Sequence, residues 1–296
     1  MSPKVSIILL NYNNAEDTIN CLVELRKITY DNYQIIIVDN NSTDNSLSKI
    51  ESNVIDNEVV LKSTINGGYA FGNNIGIRFG MENNSDYFCI LNNDVKVATT
   101  FLDELIAIME NNNEVGIAGP KICDFDQPDV IQSAGSIVNM NFGRATELYK
   151  GKNSEILSDK VINCDYVGGA CMVVKKSVIA KIGLIPEDYF LFYEENEWCQ
   201  KAKKNGFRIV SVGNSTVWHK GSHTINKISG LSEYFMYRNL VIFIKNNGTI
   251  VNNVIFNLYF VAFCFKSLLT KKNGSRFFKY YIDGITGHNQ YEYLKK

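Results

Sequence analysis

The chain has 296 residues, a formal net charge of −1, 45% hydrophobic and 21% charged residues. That length holds one large α/β domain with an extension, or two small domains. The near-zero charge excludes a global basic field, and so nucleic acid is not expected as a partner. The seven cysteines (Cys21, Cys89, Cys123, Cys164, Cys171, Cys199 and Cys264) are odd in number, show no C-x-x-C spacing and sit mostly in apolar stretches. They read as reduced, buried thiols of a cytoplasmic protein rather than as a disulfide framework or zinc site. No charged-then-apolar leader precedes the first strand.

Taken in order, Val5 to Leu10 is a short apolar strand ending at the polar Asn11-Tyr12-Asn13-Asn14. Ala15 to Ile28 carries apolar residues at helical spacing, at Ile19, Leu22, Val23 and Leu25. A second strand, Gln34 to Val38, stops at Asp39-Asn40-Asn41-Ser42-Thr43-Asp44, and Thr43 or Asp44 can cap the helix from Ser46 to Glu51. Val59 to Leu61 is a third strand, followed by Asn66-Gly67-Gly68-Tyr69-Ala70-Phe71-Gly72 and a helix from about Asn73 to Met81. Tyr87 to Leu91 is apolar throughout, as a strand buried on both faces must be, and breaks off at Asn92-Asn93-Asp94. Polar residues therefore gather where each strand stops. This alternation implies an α/β fold with a doubly wound, mostly parallel sheet and a ligand crevice at its carboxyl edge. Asn-Asn-Asp is also ordinary turn chemistry, Asp39 an ordinary helix-capping residue, and Gly67-Gly68 an ordinary tight turn. There is no G-x-G-x-x-G and no G-x-x-x-x-G-K.

The second half is less regular. A helix is expected from Phe101 to Met109, and strands over Val115–Gly119, Tyr166–Val174 (with Gly168 and Gly169 near its start) and Phe207–Val212. Residues 121 to 165 are mixed and suit a second-ligand site. The run from Tyr189 to Tyr193 is nearly all aromatic and leads into Glu194, Glu195 and Glu197, which open a helix closed by Gly206. Val217-Trp218-His219 ends the α/β part, with His223 read as structural.

The motifs in this order resemble a family 2 glycosyltransferase with the GT-A fold, in particular its rhamnosyltransferase-like branch. The matching segments are Asn11-Tyr12-Asn13, Val38 to Asp44, Asn66 to Asn74, Leu91 to Asp94, and Phe192 to Glu197 followed by His219; Tyr237-Arg238-Asn239 fits the family's tail. The resemblance implies an inverting, metal-dependent transfer from a nucleotide-sugar, dTDP- or UDP-linked and possibly dTDP-rhamnose, to a glycan or lipid-linked glycan hydroxyl in bacterial surface polysaccharide synthesis. It implies donor contacts at Asn11, Tyr12, Asn13, Asp39, Asn66, Gly67, Gly68, Asn92, Asn93 and Asp94. It implies Mn²⁺ or Mg²⁺ on Asp94 and His219, with Asn92 where the family has an acid. Glu195 stands where the family's catalytic aspartate stands, with Glu194 and Glu197 as competitors. Gly168, Gly169, Glu197 and Trp218 are placed at the acceptor. A pyrophosphorylase would need a basic Gly-rich first loop, which is absent here, and a non-catalytic binding protein of the same fold is the other alternative.

The expected division is a catalytic domain over 1–225, with a nucleotide-sugar half to about 95 and an acceptor half from 96, and a helical extension over 226–296. In the extension Tyr234–Lys245 and Ile250–Leu269 look helical, the latter about long enough to span a bilayer but interrupted by Asn252, Asn253, Asn257 and Lys266. It is therefore read either as an amphipathic helix at the inner face of the plasma membrane, or as a helix pair that packs on the catalytic domain or joins two copies.

Overall fold

The structure, a computed structural model, describes residues 2–221 and 230–295. In chain order, β1 (Val5–Asn11), α1 (Ala15–Leu25), β2 (Tyr33–Asp39), α2 (Ser46–Glu51), β3 (Glu58–Lys62), α3 (Gly68–Glu82) and β4 (Tyr87–Leu91) form the first half. Then come β5 (Val95–Val97), α4 (Phe101–Asn111), β6 (Val115–Asp124), β7 (Ile131–Ser133), β8 (Ser136–Asn139), β9 (Arg144–Glu147), β10 (Val161–Asn163) and β11 (Cys171–Lys175). The chain continues through α5 (Lys176–Ile182), α6 (Glu194–Lys204), β12 (Arg208–His219), α7 (Leu231–Asn247), α8 (Ile250–Thr270) and α9 (Arg276–Thr286).

The main sheet runs β10-β12-β6-β11-β4-β1-β2-β3. β3, β2, β1 and β4 are mutually parallel, and β11 is inserted antiparallel between β4 and β6. The doubly wound, mostly parallel α/β sheet expected from the sequence is present. Its central strands are uniformly apolar because helices cover both faces. Ile7 and Leu9 face one core with α1 and α4, while Ile8 and Phe88 face the other with α3 and α6. Each such fully buried side chain contributes about 1.5–3 kcal/mol. All seven cysteines are buried and unbridged.

The helix expected from about Asn73 begins five residues earlier, at Gly68. Its glycines read as loop, but Gly72, Gly76 and Gly80 lie one helical turn apart and press against Leu10, Ile8 and Ser6, leaving no room for a Cβ. The close approach to β1 offsets their poor helix propensity and brings the start of α3 to the carboxyl ends of the strands.

Two strands differ in the other sense. The one expected from Tyr166 starts at Cys171, and the one expected to end at Val212 continues through a bulge to His219. A third C-terminal helix, α9, was not foreseen. The helices α7, α8 and α9 share an apolar cluster with Tyr189 and Phe190 of the aromatic run, so the extension packs directly against the segment that leads into α6. His223 lies outside the described residues.

Candidate active site

The carboxyl ends of β2, β1 and β4 adjoin, which brings the Asp39, Asn11 and Asn92 segments to one crevice. Asn11 and Asp39 are opposite each other in register and buried. The Asn11 amide donates to Asp39 Oδ1 at 2.8 Å and to Ser42 Oγ at 3.1 Å, and its oxygen accepts from the Thr18 hydroxyl at 2.9 Å. Asp39 also accepts from the Ser42 N–H at 3.0 Å and the Ser42 hydroxyl at 2.6 Å. Asn11 therefore ties the loops together beneath the crevice. Asn13, in the left-handed region at φ 52°, accepts from the N–H groups of Thr43 and Asp44. Tyr12 between them is 37% exposed at the rim. Asn66 accepts from the Asn40 amide at 2.9 Å and the Gly68 N–H at 3.2 Å, folding the glycine loop toward the same edge.

Strand pairing brings the next two groups together. β5 runs antiparallel to β12 with His219 opposite Val95, so Asp94, one residue earlier, reaches the imidazole. His219 Nε2 lies 3.4 Å from Asp94 Oδ1. It makes no hydrogen bond there, and is one of four buried side-chain polar atoms without a partner among the described residues. Two ligands about 2.1 Å from one ion at an octahedral right angle sit about 3 Å apart. A carboxylate oxygen and an unpartnered imidazole nitrogen at this separation therefore fit a shared Mn²⁺ or Mg²⁺. Among the described residues no third His, Cys, Asp or Glu joins them, so phosphate oxygens and water would fill the other positions. Asn93 donates to the Thr18 hydroxyl at 2.8 Å and supports the loop.

The carboxylates arrive on a separate element, α6. Phe190, Phe192 and Tyr193 all have φ near +70°, a left-handed conformation that costs a non-glycine residue about 1–3 kcal/mol. The segment is held from both sides. The Asn239 amide of α7 donates to the carbonyls of Tyr189, Leu191 and Phe192 at 3.0, 2.7 and 3.1 Å. Arg238, also buried, reaches the Asp188 carbonyl, and the Tyr69 N–H donates to Phe190 O at 3.0 Å. Glu194 and Glu195 then occupy the first turn of α6.

A cavity of about 200 Å³ is lined by Tyr69, Asn92, Gly169, Ala170, Leu191, Phe192, Glu194, Glu195 and His219. His219, with Asp94 beside it, and the Glu194–Glu195 pair thus share one partly open cavity. Burial, and then the neighbouring Glu195 charge, push the Glu194 carboxyl well above its ordinary range. Burial also raises Glu195. Glu194 is almost fully buried, and its Oε2 has no hydrogen-bond partner among the described residues. Two adjacent carboxyls in an apolar pocket do not both ionise readily.

The remaining expectations separate. Gly169 lines the cavity: its carbonyl accepts from the Tyr69 hydroxyl at 3.0 Å, and a Cβ there would lie 3.3 Å from Glu195 Oε1. Gly168, Glu197 and Trp218 are not among the lining residues. Glu197 is turned away into a network with Tyr189, Asn246 and Lys201. Burial alone would raise its carboxyl, but these hydrogen bonds outweigh burial and hold it low. Trp218 donates to the Pro128 carbonyl at 3.1 Å, with Lys96 over its ring. Tyr69, and Asn239 as the clamp, were missed as site residues although both lie in motifs already noted. Aromatic and amide side chains have many ordinary uses, and only the folded loop shows theirs.

The sequence profile described as "Glycosyl transferase family 2" matches residues 6–183. The chain belongs to this family. It is a glycosyltransferase with the GT-A fold. Relatives include the low-salt glycan biosynthesis hexosyltransferase Agl10 of Haloferax volcanii, 29% identical over 214 residues, which are 71% of this chain and 64% of that protein. The dTDP-rhamnosyl transferase RfbF of Shigella flexneri is 23% identical over 304 residues and 97% of both chains. Among solved structures, GalNAc-T7 with UDP, GalNAc and Mn²⁺ superposes with a TM-score of 0.64 at 14% identity, covering 96% of this chain and 55% of that one. The mannosyltransferase PcManGT of Pyrobaculum calidifontis, with GDP-Man and Mn²⁺, gives 0.60 at 13% identity over 99% and 88%. At these identities the structures bear on the fold alone.

Proposed function

We propose that this glycosyltransferase transfers a sugar, with inversion, from a dTDP- or UDP-sugar to a hydroxyl of a glycan acceptor, with Mn²⁺ or Mg²⁺ held by Asp94 and His219. The observation that carries the reading is the shared cavity, lined by His219, which lies beside Asp94, and by Glu194 and Glu195. The similarity to a dTDP-rhamnosyl transferase over 97% of both chains favours dTDP-rhamnose among donors.

In this reading Tyr12 and Asp39 hold the base, and Asn66, Gly67 and Gly68 close over the nucleoside. The bound cation would neutralise charge on the departing diphosphate. Glu195 accepts the proton of the acceptor hydroxyl as its oxygen bonds to the anomeric carbon. The carbon–oxygen bond to the diphosphate breaks, and its electron pair leaves with the nucleotide. Attack opposite the leaving group inverts the carbon. Burial raises both carboxyls, so the adjacent pair holds one proton between them more readily than two charges, and the ionised member is the base. Leu191, Phe192 and Ala170 exclude water from the reacting centre.

The test is product stereochemistry: proton NMR of the glycoside formed from an anomerically defined donor. Inversion with Mn²⁺ present, lost in Glu195→Gln, supports the proposal; retention of configuration contradicts it.

A further inference from the structure

The outer face of α8 is a continuous apolar stripe. Phe256, Phe260, Cys264 and Ser267 are its buried side. On the opposite side Val251, Val254, Leu258, Phe265 and Leu269 are 55% or more exposed, at helical spacing. α9 extends the patch: Phe278 packs edge-on against Phe265 at 5.1 Å, and Ile282, one turn on, is 56% exposed. The charges on α8 and α9 are mostly positive, and Arg276 is paired with Glu233 of α7 at 2.5 Å. Between residues 250 and 286 stand Lys266, Lys271, Lys272, Arg276 and Lys279 against Asp283 alone, and Asp283 is buried on the inner side under Tyr234. Lys266, Lys272 and Lys279 are exposed at the patch and its edge, and Lys271 lies over the rings of Phe263 and Phe277.

α8 is long and apolar enough to cross a membrane, with 22% of its most apolar window buried. Its inner face is nevertheless committed. It packs on α7 and α9, caps its first turn with Thr249 and Asn252, and is tied to the β8–β9 hairpin through Asn252–Asn141 and Arg144–Tyr259. A spanning orientation would strip away these contacts. A helix lying flat keeps them and buries only the outer stripe. A second copy would set the exposed Lys266, Lys272 and Lys279 against their own like charges, since Glu233, the acid beside the patch, is already taken by Arg276.

We propose that the α8–α9 face is a membrane-docking surface that lies in the headgroup region of an anionic bilayer. The stripe from Val251 to Leu269 inserts, and Lys266, Lys272 and Lys279 contact lipid phosphates. This inference is independent of donor, metal and catalytic base.

The test is flotation of the full chain with vesicles of phosphatidylglycerol and phosphatidylcholine, against phosphatidylcholine alone. Binding to the anionic vesicles is expected, weakening as salt rises. Each lysine replaced in Lys266→Gln and Lys272→Gln should lower partitioning by about fivefold. Leu258→Glu with Phe265→Glu should abolish it, while far-UV circular dichroism and a cooperative melting transition are retained, which shows the variant folded. Failure to float with anionic vesicles at low salt would overturn the proposal. So would a concentration-dependent dimer abolished by Leu258→Glu, which assigns the face to a second copy. Membrane-bound protein released only by detergent, and not by high salt, would assign α8 to a span instead.

Discussion

The backbone N–H of Tyr69 donates to the carbonyl oxygen of Phe190 at 3.0 Å, across more than a hundred residues of sequence. This joins the glycine loop at the crevice to the segment that delivers the carboxylates. Gly68, at φ +87°, stands directly under that carbonyl, where any Cβ would collide with it. Gly68→Ala is therefore expected to push the two loops apart. Turnover should fall about tenfold or more through misplacement of the reacting groups, with a smaller change in the melting temperature. Steady-state rates beside thermal denaturation check this.

Asn239 supplies the clamp from the other side. Its amide satisfies three carbonyls of a segment with three left-handed residues. Asn239→Leu leaves those carbonyls without their donor and is expected to destabilise the fold by about 1–3 kcal/mol, measured by urea denaturation. It should also slow turnover more than it weakens donor binding.

Glu195→Gln should reduce turnover by about a hundredfold or more while nucleotide binding persists. In the unmodified enzyme the base must be ionised to accept a proton. Because burial raises the Glu195 carboxyl, activity should fall on the acid side through a pKa above the ordinary glutamate value. A pH–rate profile that is flat down to that ordinary value would remove Glu195 from this role.

Glu194 makes a stability prediction. Its folded-state pKa is raised above the unfolded value. Its favourable contribution is complete below the unfolded pKa and is lost as pH rises toward and through the folded one. Glu194→Gln removes that loss. The variant should melt about 2 °C or more above the parent at pH 8, with the gap closing near pH 4, read by calorimetry at both pH values.

The position of the candidate site in the fold was legible because strand ends in a parallel sheet must carry its polar residues. Asp39, Asn92 and Asp94 were placed that way, and His219 by its position in the motif order. Pairing was not legible: nothing local in Trp218-His219 shows that β12 continues past a bulge to meet β5 beside Asp94. Nor could the acidic run be sorted by type. Glu194, Glu195 and Glu197 are chemically alike in the sequence, and only the left-handed turn at Tyr193 sends two of them to the cavity and one to Tyr189. Trp218 suited a sugar-stacking role by residue type, and nothing in the sequence shows that its indole donates to the Pro128 carbonyl. The start of α3 was missed because its glycines are poor helix formers in isolation and favourable only against β1.

The central claim is that Asp94 and His219 hold a cation that the donor needs, separately from the base on Glu195. The most direct measurement is calorimetric titration of dTDP- and UDP-sugars into the protein with and without Mn²⁺, for the unmodified chain, Asp94→Ala, His219→Ala and Glu195→Gln. Metal-dependent binding of one donor is expected, lost in Asp94→Ala, weakened in His219→Ala and kept in Glu195→Gln. Donor binding that is equally strong without metal, or that survives Asp94→Ala unchanged, would contradict the account.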